Sequence, residues 1–334
     1  MLRLPPLELL TPISLEEAVS LLEEGSSGHH PESKTMVVAG GTDLYPNIKR
    51  RQFTPTTLVA VNRIPELRTI RGSDESGWTL GSAVTLTETA GRLQQTNAHH
   101  ALTQAASLVS SPPIQNMATI GGNLLVDTRC NYYNQTQQWR QAVGYCMKRD
   151  GEICLVAPSS RRCWALSSTD SAPAAIVLGA EVELRDATSA RMLPVERLYA
   201  NDGIEYLTMR PTEILVSIRL PPLPGWRSTY LKLRRRGSID FPLLGVAVAA
   251  RVQEGIISQA RLALGAMASH PIRLLECERL LLGQRPTEEL IDATARLGAE
   301  RAKPLDNADL VYHWRKRMVS IYLRRALSEV LEVP

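Results

Sequence analysis

The chain has 334 residues, of which 44% are hydrophobic and 22% charged, with a formal net charge of +4. That length supports large buried cores and two or three domains. The charge is too small to argue for nucleic acid, and no apolar run approaches the roughly 20 residues a membrane helix needs. The opening Met1-Leu2-Arg3-Leu4-Pro5-Pro6 lacks the apolar segment of a secretory signal, so a cytoplasmic protein is expected, where stable disulfides are unusual.

Ser14 and Glu17 fit a capping box ahead of Ala18, Val19, Leu21 and Leu22, which predicts a helix over 14–24. A looped segment at 25–33 leads to a strand at 35–38, ending in Ala39-Gly40-Gly41-Thr42-Asp43-Leu44. Strands are predicted at 57–61 and 77–82. Thr85 and Glu88 form a second capping pattern. Residues 97–110 read as helical up to Ser110-Ser111-Pro112-Pro113, and a further helix through 114–118 reaches a glycine turn, Thr119-Ile120-Gly121-Gly122-Asn123. Past a cysteine-bearing region come residues 174–178 and strands at 181–185 and 213–220. Pro221-Pro222-Leu223-Pro224-Gly225 is the clearest linker. It divides the chain into 1–220 and 226–334. The second part reads as strands at 229–233, 244–252 and 260–265, then helices at 272–282, 288–302 and 308–331. The expected class is α+β throughout.

A Gly-Gly turn after a buried strand lets backbone N–H groups approach an anion with no Cβ in the way. Gly40-Gly41 and Gly121-Gly122 both fit, and two such turns could hold a pyrophosphate from both sides. Neither matches a dinucleotide fingerprint or a phosphate loop, and singly each reads more readily as a plain turn. Four of the five cysteines, Cys130, Cys146, Cys154 and Cys163, follow with spacing C-x15-C-x7-C-x8-C. Four thiolates suit a [4Fe–4S] cluster or a structural zinc. The paired knuckles of zinc sites are absent, and long uneven gaps suit a cube. Spacing alone leaves cluster, zinc and four unrelated cysteines open. Cys277 lies in an amphipathic segment and reads as a packed core thiol.

Val37 to Leu44 resembles the first flavin loop of the molybdenum hydroxylase flavoproteins, which include the FAD subunits of carbon monoxide dehydrogenase and the FAD domain of xanthine dehydrogenase. Thr119 to Leu124 resembles the second loop. Glu213 to Ile218, Lys232 with Arg235 and Ile239-Asp240, His270-Pro271-Ile272-Arg273 with Glu276, and Trp314-Arg315 with Met318 resemble later motifs, in order along nearly the whole chain. The resemblance implies a two-subdomain FAD-binding domain of the vanillyl-alcohol-oxidase type followed by a small α+β C-terminal domain. It implies FAD contacts at Val37, Val38, Ala39, Gly40, Gly41, Thr42, Asp43 and Leu44, and at Thr119, Ile120, Gly121, Gly122 and Asn123. Val109 and Asp170 are further implied contacts. Leu215 and Lys232 would sit near the isoalloxazine, where a lysine favours reduced, anionic flavin.

In most members the second glycine loop runs quickly into a Ser-Asp-x-x-Pro motif. Here that motif arrives late, as Thr169-Asp170-Ser171-Ala172-Pro173, so about forty residues, roughly 126–166, are inserted. The insertion and its cysteines resemble the flavoprotein subunits of the 4-hydroxybenzoyl-CoA reductases. That resemblance implies Cys130, Cys146, Cys154 and Cys163 as ligands of one [4Fe–4S] cluster. It implies an electron-transfer subunit, with no catalytic residue of its own, of an enzyme that reductively dehydroxylates 4-hydroxybenzoyl-CoA to benzoyl-CoA. The implied partners are a large subunit with molybdopterin, a small subunit with two [2Fe–2S] clusters and ferredoxin as donor, in a dimer of heterotrimers. Arg140, Lys148, Arg149, Arg161 and Arg162 make the insertion basic, which suits either a face for acidic ferredoxin or a solvated surface. Arg234-Arg235-Arg236 reads as a subunit contact or a wet strand. The alternatives are an oxidising hydroxylase subunit that passes electrons out to an acceptor such as NAD, a zinc-stapled binding module, and a stand-alone flavin oxidase.

Overall fold

The computed structural model describes residues 2–333 apart from Ser26 and Gln95. The chain opens with a parallel sheet of β1 (Glu8–Leu10), β2 (Thr35–Val38) and β3 (Thr57–Ala60), in the order β1-β3-β2. The helix α1 (Leu15–Glu24) crosses between the first two strands. Ser14 Oγ accepts from the Glu17 N–H at 3.2 Å, but the Glu17 carboxylate reaches one residue further back and takes the Ile13 N–H at 2.8 Å. A short helix, α2 (Leu44–Lys49), follows the first glycine loop.

The second sheet is antiparallel. It combines β4 (Ile70–Ser73), β5 (Gly77–Gly81), β6 (Glu181–Arg185), β7 (Ala190–Pro194) and β8 (Ile214–Leu220) in the order β4-β5-β8-β6-β7. Strands β1, β4 and β7 lie at sheet edges, carry several exposed residues and lack a clear period of two, so sequence patterning did not predict them. Between β5 and β6 run α3 (Leu86–Leu93), α4 (His100–Leu108), α5 (Pro112–Gln115), α6 (Ile120–Leu124), α7 (Gln137–Ala142) and α8 (Ser171–Val177). Thr85 and Glu88 complete a reciprocal capping box on α3. The short helix expected at 114–118 begins earlier, at Pro112, where a proline's fixed φ suits a first turn.

The third sheet is an antiparallel meander of β9 (Trp226–Leu233), β10 (Leu244–Gln253), β11 (Ile256–Gly265) and β12 (Ile272–Arg273). The helix expected from residue 272 starts only at α9 (Leu275–Leu281), because Ile272 and Arg273 first pair with Leu264 and Ala263. The helices α10 (Glu288–Arg301) and α11 (Tyr312–Leu331) complete the chain. Both faces of this sheet are covered. Leu244, Val246 and Val248 alternate onto the side of Leu323 and Leu327 of α11. Ala247, Ala249 and Ala263 point the other way, into the core that holds α4 and α8. Alanine on that face lets the two helices approach the backbone, so the sheet joins the glycine-loop region to the C-terminal helices. Cys277 is fully buried in α9 with its thiol directed at Thr294 O, 3.6 Å away, as expected of a packing residue. Among the described residues no helix is long and apolar enough to cross a membrane.

Candidate cofactor sites

A cavity of about 710 Å³ is walled by the loop after β2, by α6 and its flanks, by the start of β8 and by the β9–β10 loop. That size is in the range of sites for large organic cofactors. Val37, Val38, Ala39, Gly40, Gly41, Thr42, Asp43 and Leu44 all line it, together with Val109, Thr119, Gly121, Gly122, Asn123, Asp170 and Leu215. Ile120 does not, since its side chain is buried in the core behind α6. Gly40 explains why two distant loops share one cavity. A Cβ there would lie 1.9 Å from the carbonyl oxygen of Met117, so only glycine lets the first loop rest on the chain entering the second.

The second loop is not the tight turn its two glycines suggest. It is a short helix with Thr119 as N-cap, the Thr119 hydroxyl accepting from the Gly122 N–H at 3.0 Å. The Gly121 N–H is already spent on Ser82 O at 2.9 Å. Asn123 turns its carboxamide oxygen towards Thr169 and Ser171, at the far end of the insertion.

Lys232 does not line the cavity. It stands behind Asp170, its ammonium donating to Oδ2 at 2.9 Å and to Leu108 O at 3.0 Å, while the Tyr230 hydroxyl donates to Oδ1 at 2.7 Å. Any influence of the lysine on a bound ligand therefore passes through the carboxylate. Burial pushes Asp170 above the ordinary carboxylate range, opposed by Lys232 and by the Tyr230 hydrogen bond.

Several lining residues carry no local sequence signal: His29, Asp127, Arg129, Tyr206 and Phe241. Arg129 contacts the Asp43 carboxylate, donates to Asn47 Oδ1 at 3.3 Å and lies 4.4 Å from the Phe241 ring centre. Among the described residues, His29 Nε2, Asp127 Oδ2 and Arg129 Nε are buried without a hydrogen-bond partner. Unspent polar atoms in the wall, glycine at the loop contact and the volume together fit FAD.

The insertion leaves and returns at one neck. The Arg129 N–H donates to Leu166 O at 2.8 Å and the Leu166 N–H donates back at 2.7 Å. Inside it Cys130, Cys146, Cys154 and Cys163 are all buried and free. Cys130, Cys146 and Cys163 share a small apolar cluster with Tyr133 and Ala165, and Cys154 is buried in the same insertion. Burial pushes the Cys130 thiol up to about 12 and that of Cys163 to about 11, so a ligand role requires a metal to displace those protons. The Ala165 N–H donates to Cys163 Sγ at 3.4 Å. Gly203 closes the pocket, where a Cβ would stand 2.7 Å from Cys163 Sγ. Among the described residues no three or more His, Cys, Asp or Glu side chains are placed to hold a single metal ion. The irons of a [4Fe–4S] core each take their own thiolate, so its ligands surround a body instead of meeting at a point. Four buried thiols in this one insertion are the donor set that such a core would need.

The basic face expected on the insertion does not form. Arg140 is buried and donates to the carbonyls of Arg50 and Arg51, both at 3.0 Å. Lys148 is buried against Asp127, and the Arg149 side chain is only 13% exposed, 3.3 Å from Asp150. Arg161 is left exposed, and Arg162 stacks on Trp164 at 3.6 Å. Arg140 and Lys148 thus turn inwards to backbone carbonyls of Arg50, Arg51, Thr128 and Gly203. Arg234, Arg235 and Arg236 are bonded to Leu108 O, Asp309 and Asp240.

Two family models match in tandem. Residues 5–223 match the FAD binding domain in molybdopterin dehydrogenase, and residues 228–330 match the CO dehydrogenase flavoprotein C-terminal domain. The aldehyde oxidoreductase FAD-binding subunit PaoB of Escherichia coli is 32% identical over 280 residues, covering 79% of this chain and 84% of that protein. The carbon monoxide dehydrogenase medium chain of Hydrogenophaga pseudoflava is 27% identical over 328 residues, covering 97% of this chain and 96% of that protein. A solved carbon monoxide dehydrogenase chain from Hydrogenophaga pseudoflava superposes with a TM-score of 0.79 at 25% identity, covering 99% of both chains.

Proposed function

Because the chain belongs to the FAD-binding subunits of the molybdenum hydroxylases, an oxidoreductase family, we propose that it is the electron-transfer subunit of an oxidising enzyme of this family. We further propose that it carries an iron–sulfur cluster in its insertion. Substrate would be oxidised on a molybdopterin-bearing large subunit, a small [2Fe–2S] subunit would lie between, and this chain would deliver electrons to an external acceptor. The curated relatives support the oxidising direction, being named for aldehyde, xanthine and carbon monoxide chemistry. A dimer of heterotrimers in the reducing cytoplasm suits four free thiols.

In this reading FAD lies along the two glycine loops, near Val109, Asp170 and Leu215, and the four cysteines ligate a [4Fe–4S] cluster. Bound FAD exchanges electrons singly or in pairs and the cluster exchanges them singly, which lets one chain join one-electron to two-electron partners. The residues of the chain itself bind, shield and bias. Gly40 holds the loops together, Asp170 presents an oriented carboxylate backed by Lys232 and Tyr230, and the insertion excludes water from the sulfurs. The observation that carries the second centre is sequence adjacency across a wall: Arg129 lines the flavin cavity while Cys130 enters the cysteine pocket.

A second reading keeps the same cofactors and reverses the flow. Ferredoxin would supply electrons for reductive conversion of 4-hydroxybenzoyl-CoA to benzoyl-CoA on the large subunit. The cysteine-bearing insertion favours it, and the relatives favour oxidation. Iron and flavin quantitation with low-temperature EPR of the reduced, purified complex tests the cofactor set, with about four irons per flavin expected for a cube. Flavin without iron removes the cluster. Steady-state assays with aldehydes, purines and 4-hydroxybenzoyl-CoA separate the two directions.

A further inference from the structure

Lys148 belongs to neither cofactor site by sequence, yet it sits between them. Its side chain is 2% exposed and that of Asp127 6%. The ammonium donates to Asp127 Oδ1 at 2.7 Å, to Gly203 O at 2.8 Å, to Thr128 O at 3.3 Å and to the Thr128 hydroxyl. It stands 4.6 Å from the ring centre of Tyr133 and 5.6 Å from that of Tyr206. On one side it borders the cysteine pocket: Tyr133 packs with Cys130, Cys146 and Cys163, and Gly203, whose carbonyl it binds, abuts Cys163 Sγ. On the other, Asp127 and Tyr206 line the flavin cavity, where Asp127 Oδ2 has no hydrogen-bond partner. Removing two charges from water is costly, and the ammonium offsets part of that by also satisfying the Gly203 and Thr128 carbonyls.

We propose that the Lys148–Asp127 pair is a fixed dipole between the two redox sites, its positive end raising the reduction potential at the cysteine pocket and its negative end lowering that at the flavin cavity. This rests on the cluster reading above. The charges are fixed by the fold, so the dipole biases electron distribution between the centres with no conformational change. A buried unit charge is weakly screened at this range, and its field favours whichever oxidation state carries more negative charge beside it. The Asp127 carboxylate partly cancels that field at the sulfurs, so loss of the carboxylate and loss of the ammonium act in opposite directions.

The test is a redox titration of the purified complex, following the cluster by EPR and the flavin by absorbance. Lys148→Met is expected to make the cluster harder to reduce, changing its reduced-to-oxidised ratio at a fixed poise about tenfold, or ~59 mV for a one-electron couple. Asp127→Asn is expected to move the cluster the opposite way and to make the flavin easier to reduce. Lys148→Arg, which keeps the charge, is expected to hold the wild-type cluster potential. Should Lys148→Met fail to assemble, the sign of the Asp127→Asn shift still decides. Cluster potentials that stay put, or that move in one direction for both neutralising substitutions while iron is retained, overturn the dipole and leave the cluster standing. Wild-type complex containing flavin but no iron overturns the cluster, and the dipole with it.

Discussion

Thr169 and Asn123 lie 46 positions apart and are joined by a hydrogen bond, the Thr169 hydroxyl donating to Asn123 Oδ1 at 3.1 Å. The Ser171 N–H donates to the same oxygen at 3.0 Å. One side chain of the second glycine loop thus clasps the segment that carries Asp170, and everything between is an excursion from a closed junction. An excursion of this kind can acquire its own chemistry without disturbing the flavin loops, because the cavity wall is already complete at its neck.

The five cysteines should separate by role. Cys146→Ser is expected to abolish iron while FAD stays bound, since Cys146 lies in the insertion and outside the cavity wall. Cys277→Ser is expected to leave iron and flavin stoichiometry unchanged and to lower stability by about 1–3 kcal/mol, because a hydroxyl replaces a thiol in an apolar core. Metal analysis and flavin absorbance on both variants, with urea unfolding on the second, check this.

Gly40→Ala should weaken FAD binding at least tenfold. The added carbon meets Met117 O at 1.9 Å, and relieving overpacking of that kind costs about 1–3 kcal/mol. Gly91→Ala is the matched control. Among the described residues nothing lies within 4 Å of its added carbon, and it sits in α3, so a gain of roughly 0.5–1 kcal/mol is expected with FAD affinity unchanged. Flavin titration of apoprotein and thermal unfolding give both numbers.

His29 should make apoprotein stability depend on pH. Burial, reinforced by neighbouring His30, pulls its pKa from 6.5 to about 4. The unfolded chain takes up this proton below pH 6.5 and the folded chain only near pH 4. Its contribution is therefore whole above 6.5 and is lost as pH falls from 6.5 towards 4. His29→Gln should flatten that part of the curve. Equal slopes for wild type and variant in denaturant unfolding between pH 4 and 6.5 would exclude the assignment.

Arg315 joins three carbonyls, and among the described residues no carboxylate is bonded to it. Its guanidinium donates to Leu243 O at 3.3 Å, Leu305 O at 3.1 Å and Ala266 O at 2.7 Å, and burial lowers its pKa to about 10. Arg315→Met leaves buried acceptors unmatched where α11 meets β10 and β11, so a loss of about 2–4 kcal/mol is expected. Calorimetry should show a lower melting temperature with unchanged flavin stoichiometry.

Local chemistry was enough for much of this. The capping pairs at Ser14 and Thr85 locate two helix starts, because a cap is a contact within one turn. The Gly40-Gly41 pair after β2 marks the first loop, and the late Asp170 motif marks an insertion, because both are features of chain order. Burial of Cys277 follows from its place in an amphipathic helix. Short edge strands escaped notice, since β1, β4 and β7 bury too little for their sequences to alternate.

What only tertiary structure decided is where charge goes. Lys148, Arg140 and Arg149 read as a wet basic face, yet Lys148 turns inwards to Asp127, Arg140 to the carbonyls of Arg50 and Arg51, and Arg149 to its neighbour Asp150. Lys232 reads as a cavity residue, and Asp170 stands in front of it. The second glycine pair reads as a turn, and Thr119 makes it a helix. A lysine has the same sequence signature in water or in a wall; its role depends on whether a carboxylate such as Asp127 is brought to it, and only long-range folding brings one.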